Sequence, residues 1–401
     1  MLINMKRLSV LLALVGTLFL FQQCKKSEST TTTSDTYPAI TATFGSNINL
    51  NALANYAAQD VPSYITKDNT AGNVITNPKA TLGRVLFYDK KLSYDNTVAC
   101  ASCHQQQFAF GDTALASHGV SGGLTGRHSM RLVNARFSNE TKFFWDERAS
   151  SLENQTTRPI QDHAEMGNSG LNGRPTLASL ITKLQALDYY NELFTFVYGS
   201  SEITEAKMQE CMAQFIRSIQ SFDSKYDVGR KQVNNDNLNF PNFTAQENAG
   251  KALFLAPPNF DATGNRTAGG IGCDGCHKAP EFDIAPNSGN NGIIGVLNAS
   301  GIDVTNTKAP SLRDLANTNG VVNSPMMHTG VIKTLQQVVG HYGTINIANG
   351  NTNLDPKLKP NGFGQQLHLN QTDVQSVVAF LKTLSGTAIY TDAKWSNPFL
   401  N

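Results

Sequence analysis

Two short segments of the sequence combine paired cysteines with a histidine. Residues 100–104 read CASCH, and residues 273–277 read CDGCH. This Cys-x-x-Cys-His spacing is the attachment site of c-type haem, in which two thiols bind the haem and the adjacent imidazole ligates its iron. Thioredoxin-like motifs and split zinc sites usually lack the trailing histidine. The sequence therefore predicts two covalently bound c-type haems, held by Cys100, Cys103 and His104 and by Cys273, Cys276 and His277.

The other cysteines have different surroundings. Cys211 lies among apolar residues at helical spacing and is predicted to be a buried small hydrophobe. Residues 1–24 begin with basic residues, continue with an apolar run and end at Cys24, which predicts a lipoprotein-type signal peptide. A lipid on Cys24 would anchor the protein to a membrane, with residues 25–44 as a flexible tether. The predicted location is the periplasm.

Composition limits the remaining possibilities. The formal net charge is +1, from 32 basic and 31 acidic residues, so nothing favours a nucleic acid as partner. The mature chain is long enough for two domains, and each half carries one haem motif. We therefore predict an N-terminal haem domain at 45–222 and a C-terminal haem domain at 223–401, built on one plan.

Helix signals outnumber strand signals. Thr204, Thr244 and Thr334 each precede an apolar periodic segment in the way that a helix N-cap does, and a longer periodic segment runs from Pro175 to Tyr198. Between these segments lie loops rich in glycine and asparagine. A large apolar haem can replace part of the side-chain core that such a domain would otherwise need. The predicted fold is mainly α, with two cytochrome c-like haem domains and long irregular loops.

Several further motifs occur in a fixed order around the two haem motifs. They are residues 86–93 (LFYDKKLS), 132–135 (LVNA), 143–149 (FFWDERA), 309–313 (APSLR) and 327–330 (MHTG). Motifs found together in this order are more specific than either haem motif alone. Over about residues 81–386 the chain resembles the bacterial di-haem cytochrome c peroxidases and their MauG-type relatives.

The resemblance implies roles for residues near the first haem. His104 would be the proximal ligand of a peroxidatic haem, with Gln155, Pro159 and Glu165 in the distal pocket. Peroxide cleavage moves a proton from one oxygen to the other, and a carboxylate in an apolar pocket has a raised pKa that suits this task. Trp145 would lie between the two haems, where it can relay electrons, pack the interface or do both.

The predicted second haem site differs from that of the standard peroxidases in the residue that would supply the sixth ligand of the iron. A methionine is usual there, whereas the matching residue in this chain is Tyr342, as in the MauG-type branch. His341, Met326 and Met327 are alternatives close by. The ligand set therefore stays open between a phenolate, an imidazole and a thioether.

Two further positions depart from the family pattern. His118 is a candidate for the ligand that must leave the resting N-terminal haem, although its loop differs in length. His128 stands where an asparagine usually helps to bind calcium, and Asn323 and Pro325 match the carbonyl donors of that site. Because calcium prefers oxygen ligands, the histidine weakens the expectation of a calcium site.

These residues predict an exported cytochrome-c peroxidase. It would reduce hydrogen peroxide to water with electrons from a small carrier such as cytochrome c or a cupredoxin. A MauG-type oxidase acting on a protein substrate and a non-enzymatic di-haem electron carrier are the alternatives. By analogy with relatives, a homodimer is also expected.

Overall fold

The computed structural model describes residues 36–400. The predicted signal peptide and Cys24 lie outside the described residues. From Tyr37 onward the chain forms one compact unit. Residues 25–44 were expected to be a flexible tether, but residues 38–44 form a helix whose Ile40 and Phe44 are 2% and 0% exposed, because both side chains pack into an apolar cluster. No helix in residues 36–400 is long and apolar enough to cross a membrane.

The described residues are mainly helical, as the sequence predicted. Twelve α-helices occur in them: α1 Pro38–Phe44, α2 Asn77–Tyr88, α3 Cys100–Cys103, α4 Leu152–Thr156, α5 Arg158–Gln161, α6 Leu177–Gln185, α7 Asp188–Tyr198, α8 Glu205–Ser218, α9 Lys225–Arg230, α10 Ala245–Leu255, α11 Leu335–Gly343 and α12 Gln371–Lys382. Four short strands form two antiparallel pairs, β1 Pro258–Phe260 with β2 Arg266–Gly269 and β3 His277–Lys278 with β4 Asp283–Ile284.

The helix before each haem motif packs closely against a later helix. In the N-terminal half α2 crosses α8 at Gly83, where an added Cβ would lie 2.0 Å from the Cys211 carbonyl oxygen. In the C-terminal half α10 crosses α12 at Gly250, where an added Cβ would lie 1.9 Å from the Ser376 carbonyl oxygen. Only glycine allows the two backbones to approach so closely. Each half therefore carries its haem motif just after a helix that is fixed by a glycine contact.

Separate apolar clusters lie in the two halves, although the end of the chain joins the first. Residues after 388 return to the N-terminal half, where Trp395 is 2% exposed. Its backbone carbonyl accepts a hydrogen bond from the Tyr88 hydroxyl at 2.6 Å, and the Lys394 carbonyl accepts one from Tyr56 at 2.6 Å. The division at residues 222 and 223 stays a prediction.

Arg313 and Asp227 form a fully buried ion pair between segments that are distant in sequence. Their side chains are 0% and 1% exposed, and Arg313 Nη1 donates to Asp227 Oδ2 at 2.9 Å. Asp227 lies in α9, shortly after the predicted division between residues 222 and 223. The buried pair fixes α9 to the segment that follows the second haem motif.

Candidate functional site

Each haem motif faces its own cavity. The N-terminal cavity has a volume of about 350 Å³ and is lined by Cys100, Cys103 and His104. The C-terminal cavity has a volume of about 520 Å³ and is lined by Cys273, Cys276 and His277. Both volumes lie within the range of about 300–1,000 Å³ that is usual for ligand and cofactor sites.

The first motif is shaped by a single helical turn. Both of its cysteines belong to α3, and the His104 amide donates to the Cys100 carbonyl at 2.9 Å. His104 Nδ1 donates to the carbonyl oxygen of Phe110 at 3.2 Å, which orients the ring and leaves Nε2 available. The motif thus presents both thiols and one imidazole nitrogen to a single cavity.

The second motif begins with a 3₁₀ turn, Cys273–Gly275, and ends in β3. Burial lowers the pKa of His277 to about 4 and also lowers the pKa of His104. Both imidazoles are therefore neutral near pH 7, as a metal ligand must be. All four motif cysteines are free thiols, so none is withheld by a disulfide. These donors and cavities fit two c-type haems, which require paired thiols beside a neutral histidine.

Glu165, Gln155 and Pro159 line the N-terminal cavity together. Gln155 and Pro159 come from α4 and α5, while Glu165 lies in the loop that follows them. The Glu165 amide donates to Asp162 Oδ1 at 3.0 Å, and the Glu165 carbonyl accepts from the Val120 amide at 3.0 Å. The backbone at Glu165 is thus fixed from two sides, so the carboxylate has a defined position at the cavity.

Burial raises the pKa of Glu165 to about 7, and the negative charge of Asp162 acts in the same direction. The positive charge of Arg148 lowers the pKa by a smaller amount. Near neutral pH the carboxyl group is therefore close to half ionised. A group in that condition can both accept and return a proton.

Glu165 also differs from the other carboxylates of the two cavities in its hydrogen bonding. Asp162 and Asp283 in the N-terminal cavity, and Asp274 and Asp355 in the C-terminal cavity, all accept hydrogen bonds from backbone amides. Among the described residues no group donates a hydrogen bond to the Glu165 carboxylate. This carboxylate is therefore free to bind a ligand in the cavity.

Trp145 lies in a wall that borders both cavities. The residues lining both cavities are His128, Ser129, Met130, Arg131, Trp145, Ala309 and Pro310. Trp145 Nε1 donates to the His128 carbonyl at 2.6 Å, and the indole lies edge-on to the His328 ring with centroids 6.4 Å apart. The preceding Phe144 has φ of +68°, a conformation that bulky residues rarely adopt. A strained loop therefore holds the indole between the two cavities.

The candidate sixth ligands of the second haem occupy different positions. Tyr342, Met326 and Met327 line the C-terminal cavity. The Met327 sulfur already accepts a hydrogen bond from Asn291 Nδ2 at 3.1 Å. His341 does not line the cavity, and its Nε2 hydrogen bonds to the Asn291 carbonyl at 2.8 Å. Burial raises the pKa of Tyr342 above its usual value, so its hydroxyl is neutral while no cation is bound. This placement favours Tyr342 or Met326.

His118 lies away from the N-terminal cavity, and His128 and Asn323 have hydrogen bond partners within the chain. The His118 side chain is exposed and does not line the N-terminal cavity. His128 Nδ1 donates to the Ala114 carbonyl at 2.9 Å, and the Asn323 amide nitrogen donates to the Asp314 carbonyl. No cluster of three or more His, Cys, Asp or Glu residues that could hold a metal ion occurs in the part of the chain that the structure describes. Calcium binding stays a prediction.

Two basic residues at the cavities were not singled out from the sequence. Arg131 borders both cavities with 6% of its surface exposed, and Lys308 borders the N-terminal cavity with 6% exposed. Lys308 Nζ donates to the Glu140 carbonyl at 2.9 Å, and burial lowers its pKa to about 8. The only sequence signal was a charged residue beside apolar neighbours, as in Met130, Arg131 and Leu132.

Fold and site together define a mainly helical protein with two haem-type cavities that share one wall. The family model described as "Di-haem cytochrome c peroxidase" matches residues 77–235. The methylamine utilization protein MauG of Methylophilus methylotrophus is 29% identical over 335 residues, which cover 80% of this chain and 86% of that protein. The cytochrome c551 peroxidase of Nitrosomonas europaea is 26% identical over 322 residues, which cover 77% of this chain and 80% of that protein.

A solved structure has the same fold. The crystal structure of a MauG-like protein associated with microbial copper homeostasis has a TM-score of 0.66 and 26% identity, and the match covers 85% of this chain and 99% of that one. The chain is similar to di-haem cytochrome c peroxidases and MauG proteins over most of its length. Its relatives are oxidoreductases of both kinds, peroxidases and MauG proteins.

Proposed function

We propose that this protein is a di-haem peroxidase that reduces hydrogen peroxide to water at the N-terminal cavity. The observation that carries the proposal is the asymmetry between the two cavities. Both contain paired thiols and a neutral histidine, but among their described carboxylates only Glu165 is without a hydrogen bond donor. Its pKa of about 7 suits proton transfer near neutral pH. The N-terminal cavity is thus equipped for acid–base chemistry, and the C-terminal cavity for electron delivery.

The cavity residues supply binding and proton transfer. When covalently bound through Cys100 and Cys103 and ligated by His104, haem iron supplies the electron transfer needed to break an O–O bond. Glu165 accepts a proton from one oxygen of peroxide and returns it to the other oxygen, which leaves as water, while two electrons from the carrier and two further protons convert the remaining oxygen to a second water. Gln155 lines the same cavity, where its side-chain amide can orient the peroxide.

The shared wall supports an electron path from the second haem to the first. Trp145 borders both cavities, and its indole is fixed by the hydrogen bond to the His128 carbonyl. An aromatic ring held in one position between two redox sites suits electron relay. We propose that electrons from a small carrier such as cytochrome c or a cupredoxin enter at the haem bound through Cys273 and Cys276.

Tyr342 favours a second candidate function. A tyrosine oxygen as the sixth ligand would stabilise the oxidised states of the second haem and disfavour the uptake of electrons from a carrier. Such a protein would act as a MauG-type oxidase on a protein substrate. Relatives named MauG match at 29% and 28% identity, and relatives named cytochrome c peroxidases match at similar levels.

The proposed cellular location rests on the sequence alone. Covalent attachment of c-type haem takes place on the oxidising side of a bacterial inner membrane, and residues 1–24 read as an export signal. We therefore propose a periplasmic protein whose Cys24 is a lipid anchor. Mass spectrometry of the mature N-terminus tests the anchor, because an unmodified terminus beyond residue 24 would exclude it.

A staged reductive titration tests the proposed function. The purified holoprotein is reduced stepwise, its absorption and electron paramagnetic resonance spectra are recorded, and peroxide with a reduced small cytochrome is added at each stage. We expect one high-spin haem and rapid oxidation of the cytochrome. A long-lived oxidised species that oxidises the cytochrome poorly would favour the MauG-type function. Two low-spin haems that do not react with peroxide would indicate an electron carrier.

A further inference from the structure

Arg131 carries a buried positive charge with few hydrogen bond partners among the described residues, and the negative charge of Asp314 acts on it without forming an ion pair. Its side chain is 6% exposed, and its Nη2 donates to the Ser311 carbonyl at 3.2 Å. Its Nε is buried and has no hydrogen bond acceptor. No carboxylate forms an ion pair with it in the described part of the chain. A buried guanidinium in this condition lacks most of the hydrogen bonds that compensate for lost hydration.

Two other buried arginines have more partners within the chain. Arg313 is 0% exposed, and although its Nε also lacks an acceptor, its Nη1 and Nη2 donate to Asp227 at 2.9 Å and to the Pro280 carbonyl at 3.0 Å. Arg84 is 5% exposed and donates three hydrogen bonds to backbone and hydroxyl oxygens. Arg131 has neither an ion pair nor three hydrogen bonds among the described residues, which points to an acceptor that is not part of the polypeptide.

The position of Arg131 limits what that acceptor can be. Arg131 lines both cavities, so its side chain borders the space where the two cofactors are expected. A guanidinium binds carboxylates in a bidentate manner better than it binds other acceptors. The peripheral carboxylates of a haem are its two propionates.

The stem of Arg131 lies against the turn that follows the first haem motif. A Cβ added to Gly111 would lie 3.0 Å from Arg131 Cγ, and the Gly111 carbonyl accepts a hydrogen bond from the Gln105 amide at 2.9 Å. Gln105 directly follows His104, the proximal residue of the N-terminal cavity. The arginine stem therefore contacts the turn that follows the first haem motif directly.

We propose that Arg131 binds a propionate of the haem attached at Cys100 and Cys103. The inference rests on the proposed function, because it requires haem in the N-terminal cavity. The guanidinium would fix the orientation of that haem and offset its propionate charge. Loss of a nearby positive charge favours the ferric state, so removing the arginine lowers the reduction potential of this haem.

The test uses holoprotein variants and two spectroscopic measurements. Arg131→Gln removes both the positive charge and the guanidinium group that can donate two parallel hydrogen bonds. Arg131→Lys keeps the charge but not this bidentate geometry. Arg136→Gln is the matched control, because Arg136 lies on the same segment, lines neither cavity and already pairs with Asp68 at 2.5 Å. Spectroelectrochemistry gives the reduction potential of each haem, and resonance Raman spectroscopy reports the bending modes of the propionates. A variant in which Cys100 and Cys103 are both alanine retains only the second covalent haem and assigns the signals to the two haems.

We expect a lower potential for the His104 haem in Arg131→Gln, with the other haem unchanged. Arg131→Lys should shift the propionate band while retaining most of the parent potential, and it carries the test if the glutamine variant does not fold. Unchanged potentials and Raman bands, with only a lower unfolding temperature, would overturn the proposal. They would show that Arg131 has a structural role only, through its hydrogen bond to the Ser311 carbonyl. A shift confined to the His277 haem would also overturn it.

Failure of the proposed function gives a different result. The pyridine haemochrome assay on the parent protein counts covalently bound haems before any Arg131 variant is made. Fewer than two haems per chain would refute the proposed cofactor content. Two haems with unchanged potentials in Arg131→Gln would refute only the role of the arginine.

Discussion

Replacing Glu165 by glutamine tests the acid–base role directly. The substitution keeps the shape and most of the polarity of the side chain but removes its ability to ionise. General acid–base groups typically contribute about 10²–10⁴ in rate, so kcat/KM for peroxide should fall by that factor, or by about 3–5 kcal/mol in barrier height. Stopped-flow measurement of peroxide consumption with reduced cytochrome c is a suitable assay.

The pH profile makes the test more specific. Because the pKa of Glu165 is raised to about 7, the ionised fraction in the parent falls with pH below that value. The parent kcat/KM should therefore lose about tenfold per pH unit on the acid side of about pH 7, and the glutamine variant should lack this limb. Glu202→Gln is a matched control, since the Glu202 side chain is 70% exposed, lines neither cavity and pairs with Lys207 at the surface.

Glu165→Gln should lower the activity but raise the stability of the folded protein above neutral pH. A carboxyl group whose pKa is raised on folding binds its proton more tightly in the folded state, so its contribution to stability is largest below about pH 4.5 and is lost as pH rises through about 7. Above pH 7 the glutamine variant should be more stable than the parent by at most about 3 kcal/mol. Unaltered turnover and an unaltered acid limb in Glu165→Gln would refute the reasoning, whatever happens to stability.

Further substitutions address the other parts of the site. Tyr342→Phe should change the electron paramagnetic resonance signal of one haem only, and two unchanged signals would exclude Tyr342 as a ligand. Joint replacement of Cys100 and Cys103 by alanine should halve the covalent haem in the pyridine haemochrome assay, because one motif remains intact. Asp227→Ala leaves the buried Arg313 charge unpaired and should reduce the free energy of unfolding by about 3–5 kcal/mol in urea titration; a loss below about 1 kcal/mol would contradict the assigned pairing.

Local chemistry in the sequence was sufficient to locate three of the helix starts. The side chains of Thr204, Thr244 and Thr334 each accept a hydrogen bond from the backbone amide three residues later, as predicted. Such caps depend only on neighbouring residues, so they can be recognised without knowing the tertiary structure. The buried state of Cys211 was also predicted correctly, because its apolar neighbours follow helical spacing.

Tertiary contacts changed the interpretation of one long periodic segment. The stretch from Pro175 to Tyr198 was expected to be one helix, but α6 ends at Gln185 and α7 begins at Asp188. After this break, the hydroxyls of Tyr189 and Tyr190 both donate to Asp89 Oδ2, at 2.7 and 2.9 Å. The periodicity of the segment gives no information about a partner about 100 residues earlier, so the break could not be predicted from it.

The candidate site shows the same limit on what can be predicted from the sequence. Each Cys-x-x-Cys-His motif is a local pattern, and both were visible in the sequence. Arg131 and Lys308 are functional candidates only because the fold brings them to the cavities without carboxylate partners. An unsatisfied buried charge is a three-dimensional property, and no spacing rule reveals it.

The scaffold of the two halves is compatible with the different tasks that we propose for them. The contacts at Gly83 and Gly250 fix the helix before each haem motif in the same way, although the first motif forms an α-helical turn and the second a 3₁₀ turn followed by β3. The proposed difference in task arises on the open side of each cavity. There the N-terminal half places the loop that carries Glu165, and the C-terminal half places α11 with Tyr342. Because these segments lie outside the glycine-fixed helix pairs, each could change its chemistry without altering how its haem motif is held.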